Sequence, residues 1–120
     1  MPSDDKNIQR RLLDIVENAD AALLFVGNLD ADQFAQDQKT HYAVVRALEI
    51  VSEASRHLPD DLKARHPATP WRAIRDAGNV YRHGYLAVSL EVVWETVKRD
   101  LPPLREKMLS ELRALGFEPE

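Results

Sequence analysis

The sequence contains no cysteine and only four glycines in 120 residues. Without cysteine the chain can form no disulfide and can offer no thiolate to a metal, which fits a cytoplasmic protein. The glycines, at positions 27, 78, 84 and 116, stand too far apart for a glycine-rich phosphate-binding loop. No apolar run approaches the ~20 residues that a membrane span needs, and nothing near the N-terminus resembles a signal peptide. We therefore expect a cytoplasmic protein with no membrane association.

Motifs for metal-dependent or nucleophilic catalysis are also lacking. The four histidines, at positions 41, 57, 66 and 83, show no metal-ligand spacing. No nucleophile elbow and no pair of carboxylates suited to magnesium is evident. The sequence therefore predicts neither a metal nor a cofactor.

The distribution of apolar residues is typical of an all-α protein. They recur at spacings of three and four in stretches of about 3–26, 37–58, 70–84 and 89–116. Short connectors between four such helices favour an antiparallel bundle. At this length we expect a single helical domain over residues 1–120.

Three local signals bear on where these helices begin. Asp30 is a suitable N-cap, either for a short turn that carries Phe34 or for a continuous entry into the second long helix. Ser89 is suited to cap the last stretch. Pro102 and Pro103 must kink that helix or restart it.

Candidate functional side chains are concentrated in residues 71–85, whose sequence is WRAIRDAGNVYRHGY. As a helix, this stretch would present polar residues within about a 100° arc and an apolar face opposite. The polar group comprises Arg75, Asn79, Arg82 and His83. A solvated arginine face with a histidine near a helix C-terminus would give the same pattern.

Charge is unevenly distributed along a chain whose net charge is −4. Residues 63–83 hold five basic residues and one acidic residue, a local charge of +4, whereas the remainder holds eleven basic and nineteen acidic residues, a charge of −8. A basic segment in an acidic protein indicates a local anion site, although chance clustering would look the same.

The second long helix carries a polar stripe of its own. Arg46 and Glu49, and likewise Glu53 and His57, are spaced to pair on its surface. Exposed pairs of this kind contribute about 0.2–0.5 kcal/mol each, so the pattern alone indicates no more than a solvated face.

These residue types suit acid–base chemistry on RNA. A histidine such as His83 can take a proton from a ribose 2′-hydroxyl, because it titrates near neutrality. Arginine and asparagine side chains can stabilise the charge that develops on the phosphate. One chain supplies few such groups, and a two-fold dimer would double them across one cleft.

The chain resembles the HepT-like toxins of the HEPN superfamily over nearly its whole length. The resemblance is carried by VVRALEIVSEAS at 44–55, WRAI at 71–74, NVYRHGY at 79–85 and VWETVKRDLPPL at 93–104. It implies a four- to five-helix bundle that forms homodimers and cleaves RNA without metal. It also implies a type VII-like toxin–antitoxin system, in which a minimal nucleotidyltransferase antitoxin is the partner.

The resemblance also implies roles for individual residues. His83 matches the catalytic histidine of the R-x4-H-x-Y signature, and Asn79 matches the asparagine that commonly follows the signature arginine. Tyr85 matches the tyrosine to which the antitoxin transfers AMP to silence the toxin. Arg46 and Glu53 match polar positions of the family and are expected to support the cleft or to pair with each other.

The sequence departs from the family at the signature arginine, where Gly78 stands instead. Arg75 and Arg82 lie on the same predicted arc as His83, and Arg82 is the stronger candidate to supply the missing charge. Gly78 could permit close approach of a second helix or of a ligand backbone.

The missing arginine leaves other interpretations open. The chain could be a degenerate HEPN module that binds a nucleotide or RNA without cutting it, or a regulatory partner of a nucleotidyltransferase. A purely structural helical dimer is the third possibility.

Overall fold

The computed structural model describes residues 2–84 and 88–118, which form helices and short connectors without any β-strand. The helices are α1 (Pro2–Val26), α2 (Ala31–Gln36), α3 (Gln38–Arg56), α4 (Asp60–Ala64), α5 (Trp71–His83), α6 (Leu90–Glu95) and α7 (Leu101–Ala114). The predicted all-α bundle is confirmed, while homodimerisation stays a prediction. No helix within the described residues is both long and apolar enough to cross a membrane.

The core lies where α1, α3 and α7 pack together. Each of these helices carries apolar residues at spacings of three and four, which gives it one continuous buried stripe. Among the most deeply buried side chains are Leu12, Ile15, Val44, Met108 and Leu112. The polar faces of α1 and α3 lie outside this core, and a second side of α3 contacts α5.

Side-chain caps separate α2 from α3. Asp30 accepts a hydrogen bond from the backbone N–H of Gln33, whose side chain bonds back to the N–H of Asp30. Asp37 then caps α3 through the N–H of Thr40. Of the two alternatives for Asp30, the separate short helix is correct, and it buries Phe34 in the core.

A π-helical turn joins α6 to α7 immediately before the paired prolines. Residues Thr96–Asp100 form a wide π-helical turn, and α7 begins at Leu101, immediately before Pro102 and Pro103. Proline is tolerated there because the first backbone N–H groups of a helix have no intrahelical acceptor. Ser89 caps α6 through the N–H of Val92, as its position predicted.

The connector before α5 is tied to α7 by an ion-pair cluster. Glu111 accepts from Arg65 at 2.7 Å and from His66 at 2.7 Å, and its side chain is only 12% exposed. The indole N–H of Trp71 donates to the backbone carbonyls of Lys63 and His66. These contacts fix the start of α5, the helix that carries most of the predicted site residues.

Close packing on α3 sets the rotation of α5. Gly78 is buried, and a Cβ atom at this position would lie 2.0 Å from Ser52 Oγ and 2.7 Å from Ser52 Cβ. Ser52 Oγ donates to the carbonyl of Ile74 at 2.7 Å. The glycine therefore serves the approach of a second helix, which was one of the two alternatives.

Candidate active site

Arg82 is the centre of a cluster on the exposed side of α5. Its Nη2 donates to Asn79 Oδ1 at 2.7 Å, its Nη1 to Glu53 Oε2 at 3.3 Å, and its Nε to His83 Nε2 at 3.4 Å. Asn79, Arg82 and His83 are all exposed. The helix brings three of the four predicted arc residues into direct contact, and α3 supplies the carboxylate.

The guanidinium retains capacity for an anion. Arginine has five N–H donors, and the contacts to Asn79, Glu53 and His83 use one from each of the three nitrogens. One N–H on each terminal nitrogen remains for a ligand such as a phosphate. Because arginine donates but never accepts, His83 Nε2 must offer a lone pair to this contact, so it is the unprotonated nitrogen of the ring.

Glu53 connects this cluster to a second histidine. Its Oε1 lies 3.0 Å from His57 Nε2, and Arg56 Nη1 is 3.8 Å from its Oε2. The hydrogen bond from His57, together with the charges of Arg56, His57 and Arg82, lowers the pKa of Glu53 although partial burial opposes it. Glu53 is therefore a carboxylate at neutral pH, and a carboxylate only accepts, so His57 Nε2 carries a hydrogen.

An open cavity of about 470 Å³ adjoins the cluster, between α1, α3 and α5. Both arginines and carboxylates line its wall. Its charged lining is Arg11, Asp14, Arg46, Glu49, Glu53, Arg56 and Arg82. A groove lined in this way can bind an anionic strand only where a guanidinium keeps free donors, as Arg82 does.

Two of the predicted site residues, Arg75 and Arg46, lie apart from the contacts around Arg82. Arg75 donates to the adjacent Asp76 and takes no part in the cluster. Arg46 lines the cavity and pairs with Glu49 at 2.7 Å, as their spacing predicted. Of the two alternatives for Arg46 and Glu53, a pair between them does not form within the described residues, whereas both line the cavity. Tyr85 lies outside the described residues.

Three of the five basic residues at 63–83 are paired with carboxylates. Arg65 is held by Glu111, Arg75 by Asp76 and Arg82 by Glu53. The partners of Arg65 and Arg82 lie on α7 and α3, far away in the sequence, so charge counting along the chain could not identify them. Only Arg82 is positioned beside an exposed histidine.

The sequence predicts His57 only as one half of an ordinary surface pair with Glu53. The i, i+4 spacing was visible, and the pair does form. The spacing could not predict the contact between Glu53 and Arg82, because these residues are 29 positions apart in the chain. That contact makes His57 part of the cluster.

Position 78 cannot serve the role that the family signature gives its arginine. A Cβ atom at Gly78 would point into Ser52 on α3, where there is no space for a side chain. Arg82, one helical turn after Gly78, is on the accessible side and touches both Asn79 and His83. The positive charge beside the histidine is therefore supplied from position 82.

Residues 15–110 match the family model described as Ribonuclease HepT-like. A Thermococcus cleftensis protein named "Probable ribonuclease HepT" is 41% identical over 96 residues, which cover 80% of this chain and 87% of that protein. A Methanocaldococcus jannaschii protein named "Putative RNase MJ1380" is 31% identical over 103 residues, 86% of this chain and 94% of that protein. No solved structure matches the chain. The match over most of its length shows that the chain belongs to the HepT-like ribonuclease family of the HEPN superfamily.

Proposed function

We propose that this protein is a metal-independent RNA endonuclease that uses His83, Arg82 and Asn79, and the toxin of a type VII-like toxin–antitoxin system. Membership of the HepT-like family supports a ribonuclease function on RNA. The observation that carries the residue assignment is the contact of an exposed imidazole with a guanidinium that is itself held from two other directions. Such fixed donors beside a base suit phosphoryl transfer.

The chemistry requires one proton acceptor and one source of fixed positive charge. The single lone pair of His83 Nε2 becomes available when the 3.4 Å contact from Arg82 Nε opens on RNA binding. This nitrogen then takes the proton of a ribose 2′-hydroxyl, and the 2′-oxygen attacks the adjacent phosphorus. The two remaining N–H groups of Arg82 bind the non-bridging oxygens, on which charge accumulates in the transition state. Asn79 and Glu53 hold the guanidinium in place, and the products are a 2′,3′-cyclic phosphate and a 5′-hydroxyl.

A homodimer would bring two copies of His83 and Arg82 to one groove. The exposure of Asn79, Arg82 and His83 supports this arrangement, because a partner chain or a ligand can reach them. Sedimentation equilibrium of the purified protein tests it, and a monomer at the concentrations where RNA is cleaved would refute it. Arg75 and Arg46 are assigned to binding of the RNA backbone through the guanidinium N–H groups that are not bonded to Asp76 or Glu49.

Silencing by a nucleotidyltransferase antitoxin is the regulatory part of the proposal. Tyr85 is the acceptor, because it completes the H-x-Y part of the signature two residues after His83. Co-expression with an active minimal nucleotidyltransferase should add the mass of one or more AMP groups to the peptide that contains Tyr85. Tyr85→Phe should abolish the addition, and unmodified protein after co-expression would count against this part alone.

The catalytic assignment is tested by incubating purified protein with RNA in the presence of EDTA. His83→Ala and Arg82→Ala should each lower the cleavage rate by about 10²–10⁴-fold, the usual contribution of a positioned acid–base or charge-stabilising group. Arg99→Ala is the matched control, since Arg99 is a well-exposed arginine paired only with Glu95 within the described chain. Wild-type rates in either active-site variant would reject its assigned role.

A non-catalytic module that binds a nucleotide or RNA, or regulates a nucleotidyltransferase, is the second candidate. It is favoured by one observation, Gly78 at the place of the signature arginine. On this view His83→Ala would alter RNA binding but the wild-type protein would release no cyclic phosphate. Product analysis of the same EDTA reaction separates the two candidates.

A further inference from the structure

The four histidines fall into two classes by their surroundings. His41 is buried, with its ring edge against Phe34. His66 is 15% exposed and bonded to Glu111 in the cluster that anchors the start of α5. His57 and His83 are both exposed, and both belong to the set of contacts around Arg82 and Glu53. Two reachable imidazoles on one surface are more than the proposed base requires.

The contacts give the Nε2 atoms of these two imidazoles opposite hydrogen-bonding roles. His83 Nε2 faces the guanidinium of Arg82, which can only donate, so this nitrogen holds a lone pair. His57 Nε2 faces the carboxylate of Glu53, which can only accept, so this nitrogen holds a hydrogen. Glu53 and Arg82 are themselves in contact at 3.3 Å and connect the two rings. A base needs the first state, and an acid needs a ring that carries protons.

We propose that His57 is a second catalytic residue of the same site, the general acid that protonates the leaving 5′-oxygen during RNA cleavage. This inference rests on the proposed ribonuclease function. Glu53 is the positioning residue, because one carboxylate orients both the imidazole of His57 and the guanidinium of Arg82. No side chain within residues 2–84 and 88–118 bonds to His57 Nδ1, which leaves this nitrogen for the transferred proton.

The two proton transfers of the cleavage step balance between His83 and His57. The bond between the 2′-oxygen and phosphorus forms as the bond between phosphorus and the 5′-oxygen breaks. The 2′-hydroxyl proton goes to His83 Nε2, and the Nδ1 proton of the His57 imidazolium goes to the departing 5′-oxygen. The net charge of the pair is unchanged, and exchange with water returns each ring to its starting state.

A general acid can be identified by changing the leaving group. Once the cleaved linkage of a short RNA has been mapped, the same oligonucleotide is made with sulfur in place of the bridging 5′-oxygen. A thiolate leaves without being protonated, so its departure needs no acid. His57→Ala and His57→Gln should lower cleavage of the oxygen substrate by about 10²–10⁴-fold and leave cleavage of the sulfur substrate near the wild-type rate. His83→Ala should lower both rates, because the 2′-hydroxyl must be deprotonated in either case.

The outcomes separate the two proposals. If the wild type cleaves both substrates and His83→Ala cleaves neither, the proposed function stands. The inference about His57 then fails if His57→Ala slows both substrates equally or slows neither. Failure of the wild type to cleave either substrate, or wild-type rates in His83→Ala, overturns the proposed function and this inference with it. His57→Gln, whose amide N–H can still reach Glu53, distinguishes loss of the acid from loss of the contact.

Discussion

Replacing Gly78 with alanine tests whether close packing of α5 on α3 determines the residue at this position. The new Cβ would lie 2.0 Å from Ser52 Oγ and 2.7 Å from Ser52 Cβ. Rotating the hydroxyl away would break its 2.7 Å bond to the carbonyl of Ile74 and would still leave the Cβ contact. The two helices must therefore move apart to admit even a methyl group.

Helix propensity and packing predict opposite signs for this change. Alanine is about 1 kcal/mol better than glycine in a helix interior. Overpacking of a close contact costs about 1–3 kcal/mol, and the lost hydrogen bond of Ser52 costs about 1 kcal/mol more. We expect Gly78→Ala to lower the free energy of unfolding by about 1–3 kcal/mol.

Urea unfolding followed by far-UV circular dichroism measures this difference. Ser52→Gly removes both atoms that obstruct the new methyl group, so the double variant should be more stable than the sum of the single changes by about 0.5–3 kcal/mol. A Gly78→Ala protein as stable as the wild type, or more stable, would show that helix propensity outweighs packing. It would also show that α3 and α5 have space for the methyl group. In that case, packing against Ser52 would no longer explain why the signature arginine is absent from position 78.

Three further changes have defined outcomes. Gly78→Arg, which restores the family signature, should destabilise the protein by more than Gly78→Ala in the same urea assay and should not raise RNA cleavage; a stable, more active variant would contradict this. Glu111→Gln should cost about 1.5–3 kcal/mol, because Arg65 and His66 both donate to this little-exposed carboxylate. The hydrogen bonds from Arg65 and then His66 lower the pKa of Glu111, so its stabilising contribution is present above pH 4.5 and is lost as the pH falls through the lowered value. Urea titrations at several pH values should therefore show the difference in unfolding free energy between Glu111→Gln and wild type disappearing at low pH. A difference that does not change with pH would contradict this. Asp30→Ala should cost about 1 kcal/mol by removing the cap of α2, measured as a lower thermal midpoint, whereas an unchanged midpoint would mean that core packing alone holds this helix.

Local signals in the sequence are enough to predict the helices and most of their ends. Apolar spacing, the caps at Asp30 and Ser89 and the paired prolines at 102–103 are all local signals, because each depends on residues within one or two helical turns. The same local geometry correctly grouped Asn79, Arg82 and His83 on one arc of α5. It also placed Arg75 there, since an angle along one helix cannot show that Asp76 takes its guanidinium.

The residues that complete the cluster from other helices depend on tertiary packing. Glu53 reaches Arg82 across 29 positions of the chain, and Glu111 reaches His66 across 45. Whether Gly78 faces a ligand or a helix likewise depends on which element packs against α5. Periodicity predicts which residues share a face of a helix. How the helices pack then decides which face of another helix lies against it. For this reason His57 is joined to the site only in the folded chain.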